Sequence, residues 1–314
     1  MSANRNRAEK AQKPKNNPGE WLLLLTALIW GSGFIAQRQG MRYFGPFTFI
    51  AIRFWVGGFL VLCFLLLTRK GLPNPEDNKP KPALRALWPA ALACGLALFG
   101  GTSLQQQGLM TTTAGKAGFI TALYIVFVPV FSLFLGKKVA WKVWLAVLLA
   151  ALGLYFLSIG EGFSIAKGDL SVFLGAIIWA CHILLISHFS ARVNELMLAC
   201  GQFFVTAALA SLLAILKESF RLPHLSSGWW TVLHSGMVVV GVAFTLQVIA
   251  QKSVNPSLGA LILSLESVFA LVFGMLLLHE SPTPRELFGC LLVAAAVLLV
   301  QWRAAGTKPE NASS

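Results

Sequence analysis

Three charged side chains sit deep inside apolar stretches of this 314-residue chain: Arg53, Lys116 and Glu266. A charge at bilayer depth is costly and faces protein or water-filled space rather than lipid. Glu266 lies in VNPSLGALILSLESVFALVFG (254–274), about ten residues into its apolar run, so near a bilayer midplane at ~1.5 Å per residue. A carboxylate there could take up and release a proton and so couple a transport step to a proton gradient; the alternative is permanent pairing with a cation. Lys116 lies in TTTAGKAGFITALYIVFVPVF (111–131) among Gly115, Ala117 and Gly118, small residues that admit a neighbouring helix or a ligand. It could pair with Glu266, snorkel to the membrane surface, or bind a substrate carboxylate. Arg53 needs an acceptor, which carbonyls or Glu266 could supply, and reads as a structural buried charge.

Uncharged polar groups join them. Gln105, Gln106 and Gln107 are consecutive and point about 100° apart on a helix, so they cannot all face lipid. With Gln202 and Gln247 they offer amides that suit zwitterionic or polar organic solutes, or that clasp helices together. Trp30 and Trp179 both fall well within apolar runs, as cavity walls or packing. His182 could carry a proton or be a satisfied interior histidine. Pro129 interrupts an apolar helix, which frees a carbonyl and kinks the chain.

The elements that must position these groups are transmembrane helices. The chain is 56% hydrophobic and 12% charged, with mean hydropathy +0.72; soluble chains carry about 25% charged residues. The apolar residues come in blocks of about 20, the length of a spanning helix. Ten spans are expected: 21–37, 46–67, 86–108, 114–135, 140–158, 170–188, 196–216, 229–250, 257–278 and 286–302. Residues 1–20 read as a disordered basic tail, 21–160 and 161–302 as two five-helix halves, and 303–314 as a second tail. The net charge of +13 belongs to topology and not to nucleic acid: Lys and Arg sit between spans. With the N-terminus inside, seventeen fall on the cytoplasmic side and six outside, which places both termini in the cytoplasm of a multi-pass inner-membrane protein.

The halves look like copies. Ala27-Leu28-Ile29-Trp30 matches Ala176-Ile177-Ile178-Trp179 at an offset of 149, which carries Arg53 onto Gln202. Later the offset becomes 143, because the loop 68–85 is six residues longer than its counterpart 217–228. Five spans per half is odd, so the second copy enters the membrane from the opposite side. Such inverted repeats recur in secondary transporters, where exchanging the conformations of the halves alternates access. The fold expected is all-α, a polytopic membrane protein of ten transmembrane helices in two inverted five-helix repeats.

ALIWGSGF (27–34), the Arg53 helix, SLQQQGLMTTTAGKAGFITALYIVFVPVF (103–131) and SLESVFALVFGMLLLHE (264–280) together resemble the drug/metabolite transporter superfamily, EamA type. The resemblance covers residues 21–302 and implies a ten-helix transporter; Glu280 stands where the second repeat of that family commonly has Gly-Glu. The first repeat departs from it, with Lys137-Lys138 where many members have a glutamate, and the second has Ser267 where many have proline.

The expected function is secondary transport or export of small organic metabolites, amino acids or related compounds first, by alternating access. The partners are a small-molecule solute, the lipid bilayer and, through Glu266, protons. One chain suffices as a monomer, and a homodimer is compatible with it. A membrane-embedded enzyme acting on lipid would need clustered carboxylates, a histidine pair or a nucleophile with its base. Here His279-Glu280 is not HExxH, since Thr283 stands at the last position, and His182 and His188 are six apart. The five cysteines show no CxxC spacing, so no metal is expected. Without a P-loop, no nucleotide or other cofactor is expected. A channel is the remaining alternative, but no re-entrant filter segment stands between the spans.

Overall fold

The structure, a computed structural model, describes residues 17–68, 84–112, 114–158, 167–219, 222–278 and 281–304. Residues 1–16 and 305–314 of the expected tails, and Glu280, lie outside the described residues. The rest forms ten helices that run back and forth: α1 (Pro18–Gly40), α2 (Pro46–Thr68), α3 (Leu84–Gly108), α4 (Ala114–Ala122 and Tyr124–Phe134) and α5 (Trp141–Ser158), then α6 (Lys167–Phe189), α7 (Glu195–Lys217), α8 (Leu222–Gln251), α9 (Pro256–Leu263 and Glu266–Leu278) and α10 (Pro284–Ala304). Among the described residues there is no strand. Eight of the ten are long and apolar enough to cross a membrane; α5 and α10 complete the set. Large apolar side chains such as Phe59, Leu67, Phe134 and Ile215 cover the exterior, as lipid contact requires.

Local chemistry sets the helix ends. Asn17, Asn194 and Asn255 cap α1, α7 and α9 with their side-chain oxygens, and proline follows at the first helical position of α1 and α9. All three caps lie at the end where α1 begins, because successive helices alternate in direction. Two helices are interrupted midway. In α4 the ladder breaks at Leu123, whose N–H bonds the carbonyl three residues back. In α9 it breaks at Ser264 and Leu265, where the hydroxyls of Ser264 and Ser267 donate to the carbonyls of Leu261 and Ser264. Such hydroxyls satisfy carbonyls that a broken helix frees inside a membrane. Pro129 lies inside the second segment of α4, so the interruption precedes it by six residues. The middle of α8, His234–Phe244, is wound as a π-helix, whereas α3, its repeat mate, is α-helical.

Packing repeats across the halves. The contact of α1 with α9 has its counterpart in α6 with α4, that of α2 with α8 in α7 with α3, and that of α1 with α8 in α6 with α3. The pairs α2–α7 and α5–α10 lie on the axis that relates the halves. Small residues allow close crossings: Gly153 of α5 lies against the carbonyl of Gly289 in α10, and Gly31 of α1 against the backbone of α9 at Phe269 and Ala270.

Polar ties join the halves at both ends. Where α2 begins, Glu218 from the end of α7 accepts from the backbone N–H groups of Phe47 and Thr48 at 2.9 and 2.8 Å and from the Thr48 hydroxyl at 2.7 Å. There its charge also meets the positive end of α2. At the same end Asp169 of α6 takes an ion pair from Lys116 and a hydrogen bond from Thr112. Where α1 begins, Asn17 donates to the carbonyl of Ser253 at 2.9 Å.

Candidate functional site

Between the halves lies a cavity. Each half contributes. From the first come Trp30 and Gln37 on α1, Arg53 on α2, Thr102 and Gln105 on α3, and Thr121 and Tyr124 on α4. From the second come Trp179 and Ile183 on α6, Val239, Phe244 and Gln247 on α8, and Glu266 on α9. The interrupted helices matter here. Tyr124 and Glu266 are the first residues of the second segments of α4 and α9, so both breaks open on the same space.

One wall is aromatic. The ring centroids of Trp30 and Trp179 lie 6.3 Å apart, and Phe244 sits 4.8 Å from Trp30 and 5.8 Å from Trp179, stacked on the latter. The repeat mates recognised in the sequence therefore meet across the axis. Both indole N–H groups are buried without an acceptor among the described residues.

The polar groups are sparse. The Tyr124 hydroxyl donates to Glu266 Oε1 at 3.0 Å, a bond between the halves. Gln105 donates to the Thr121 hydroxyl at 3.2 Å. Gln247 is fully buried, and neither its amide oxygen nor its nitrogen has a partner among the described residues. Arg53 packs its guanidinium 5.5 and 5.3 Å from the ring centroids of Phe49 and Phe54.

Of the residues singled out from sequence, Glu266, Gln105, Trp30, Trp179, Gln247 and Arg53 share this cavity, and Lys116, Gln106 and His182 do not. Lys116 pairs with Asp169 and not with Glu266. It begins α4, one end away from the break, and Tyr124 occupies the position facing Glu266. Arg53 and Glu266 form no ion pair either, although both line the cavity. Gln106 donates to the carbonyl of Gln37 at 3.4 Å and clasps α3 to α1. His182, behind Trp179, pairs with Gln202 at 2.9 Å between α6 and α7. Sequence reasoning missed Tyr124, Gln37, Thr121 and Phe244. Tyr124 carried a signal: it is one residue beyond the repeat mate of Glu266.

Comparison with known proteins fits this architecture. The EamA-like transporter family matches twice, over residues 17–159 and 166–302. An uncharacterized transporter of Archaeoglobus fulgidus is 35% identical over 282 residues, covering 90% of this chain and 85% of the relative. The uncharacterized inner membrane transporter YedA of Escherichia coli K12 is 27% identical, with 87% of each chain covered. A probable terminal-alkyne amino-acid exporter of Streptantibioticus cattleyicolor is 25% identical over 92% of this chain and 95% of its own. A solved structure 23% identical in sequence shares the fold, with a TM-score of 0.76 over 92% of this chain and 99% of the other. A multi-pass helical membrane protein whose halves each match the same repeat, and whose relatives carry transporter names, the chain belongs to the EamA-like transporter family and is a membrane transporter.

Proposed function

We propose that this protein carries small organic metabolites, amino acids and related compounds foremost, across the cytoplasmic membrane by alternating access, working as an exporter. The observation that carries the reading is the central cavity, walled by both halves and furnished with five aromatic side chains, three amides and two separated charged side chains. Aromatic faces and amides hold an apolar or polar side chain, and a cation and a carboxyl group suit a zwitterion. The name of the Streptantibioticus relative, an amino-acid exporter, supports the same class.

Alternating access follows from the repeat. Two similar halves in opposite orientations have near-equal energies in two arrangements, open to one side or to the other. Glu266 is the coupling residue of this reading: it sits at a helix break, faces the cavity and holds Tyr124 of the other half, so a change in its protonation alters a contact between the halves. The Lys/Arg distribution supports a cytoplasmic position for both termini. The solute passes through unaltered, and one chain is sufficient.

The test is counterflow in proteoliposomes. Vesicles preloaded with pools of unlabelled amino acids should accelerate uptake of a labelled member of the same pool. If no pool of amino acids or other metabolites raises uptake above protein-free vesicles, the carrier reading is wrong.

A further inference from the structure

The guanidinium of Arg53 stands on the cavity wall with no hydrogen-bond acceptor among the described residues. The residue is 2% exposed, and its Nε is buried and unpartnered. The carboxylates are engaged elsewhere: Glu266 with Tyr124, and Asp169 with Lys116 and Thr112. What Arg53 has is two phenyl rings, Phe49 and Phe54. Contacts of that kind are weak beside the cost of an uncompensated buried charge. The protein alone therefore leaves this cation under-satisfied.

Packing does not demand the charge. The repeat mate of Arg53 is Gln202, which occupies the equivalent place in the second half as a neutral amide bonded to His182. The first half differs in that its residue reaches the cavity. Its helix is also held in place: Glu218 clamps the first turn of α2 at Phe47 and Thr48, six and five residues before Arg53. A fixed, desolvated fork of N–H donors beside an aromatic wall is the arrangement that recognises a planar anion in bidentate fashion.

We infer that Arg53 is the anion-binding group of the cavity and that the transported solute bears a carboxylate. The inference rests on the proposed carrier function and narrows its substrate class. The solute's carboxylate pairs with Arg53, its apolar part lies against Trp30, Trp179 and Phe244, and a donor group, such as an ammonium, faces Glu266 and the amide of Gln247. A single guanidinium matches one carboxylate; a phosphate dianion would leave charge unmatched, since Lys116 is off the cavity and paired.

The test uses the full-length protein in lipid nanodiscs and two probes of equal shape, 3-phenylpropionate and 3-phenylpropionamide, titrated by calorimetry with inorganic phosphate as competitor. The wild type should prefer the carboxylate by about tenfold or more, a difference of about 1.4 kcal/mol. Arg53→Gln should bring the ratio to about one, and Arg53→Lys should retain part of it. Equal affinity of the two probes in the wild type, a preference that survives Arg53→Gln, absence of binding by both, or stronger competition by phosphate than by the carboxylate would each overturn the inference. Should Arg53→Gln fail to fold, the wild-type ratio and the lysine variant decide. A carboxylate preference without any solute counterflow would sink the carrier reading and leave the anion site standing; counterflow of amines or sugars without that preference would do the reverse.

Discussion

Gly31 sits where α1 crosses α9, and replacing it with alanine tests whether that crossing is as tight as it appears. A Cβ built on Gly31 would stand 2.6 Å from the Cβ of Phe269 and 2.8 Å from both the carbonyl carbon of Phe269 and the nitrogen of Ala270. Non-bonded carbons are comfortable at about 3.5–4.0 Å, so the helices must part by about 1 Å. The obstacles are backbone and Cβ atoms, which no rotamer change removes. Overpacking of this kind costs about 1–3 kcal/mol, and backbone obstacles place it at the upper end. Alanine recovers roughly 0.5–1 kcal/mol of helix propensity, so the net loss expected for Gly31→Ala is about 2 kcal/mol. Gly118→Ala is the control. It makes the same chemical change in a helix, but its Cβ would meet only the Phe34 ring, at 3.7 Å, so it should be neutral or stabilising by up to about 1 kcal/mol. Thermal unfolding of both variants in the same detergent measures the difference. Equal midpoints, or a Gly31→Ala protein more stable than Gly118→Ala, would refute the close crossing. The crossing carries Trp30 and Glu266 within a few residues on either side, so the same variant should also lower the rate of any counterflow found.

Glu266→Gln keeps an oxygen to accept from Tyr124 but cannot change charge; uptake driven by a pH gradient should lose its dependence on that gradient, and dependence that persists would remove Glu266 from the coupling step. Glu218→Ala should lower stability by about 1–2 kcal/mol, because it strips the cap of α2; in a double-mutant cycle Thr48→Ala should be non-additive with it, and simple additivity would count against the clamp. Gly136 has φ +73° in open space, so Gly136→Ala should cost about 1 kcal/mol through backbone strain alone, with Asn tolerated better; an alanine variant as stable as the wild type would show that the turn relaxes.

How much of this was readable beforehand depends on the range of the interaction concerned. Spans came through well, because twenty apolar residues have one solution in a bilayer. The repeat paired Trp30 with Trp179, and symmetry brings such equivalent mid-helix positions together at the axis. It left Lys116 open between pairing with Glu266, snorkelling and binding a substrate carboxylate; its partner Asp169 lies in a different helix, where no sequence arithmetic could find it. His182 and Gln106 each stayed open between a cavity group and an interior clasp for a similar reason. A polar side chain in an apolar run announces only that it avoids lipid, and an interhelical clasp satisfies that as well as a solute does. The breaks in α4 and α9 left a clue in their Gly, Ser and Thr content, but the proline that drew notice, Pro129, lies beyond the break. Nothing in the composition of His234–Phe244 marks it for π winding, and we have no physical account of why α8 and not α3 adopts it.

The two ends of the molecule are fastened by unlike chemistry. Among the described residues, the ties between halves where α2 begins include an ion pair whose members are 27% and 8% exposed. The tie where α1 begins is a neutral amide-to-carbonyl bond. Mobile ions weaken the first by screening and leave the second almost untouched. Ionic strength is thus a lever on one end of the molecule more than on the other. A salt gradient across this membrane would act on the two ends unequally, even if no salt ion ever bound in the cavity between them.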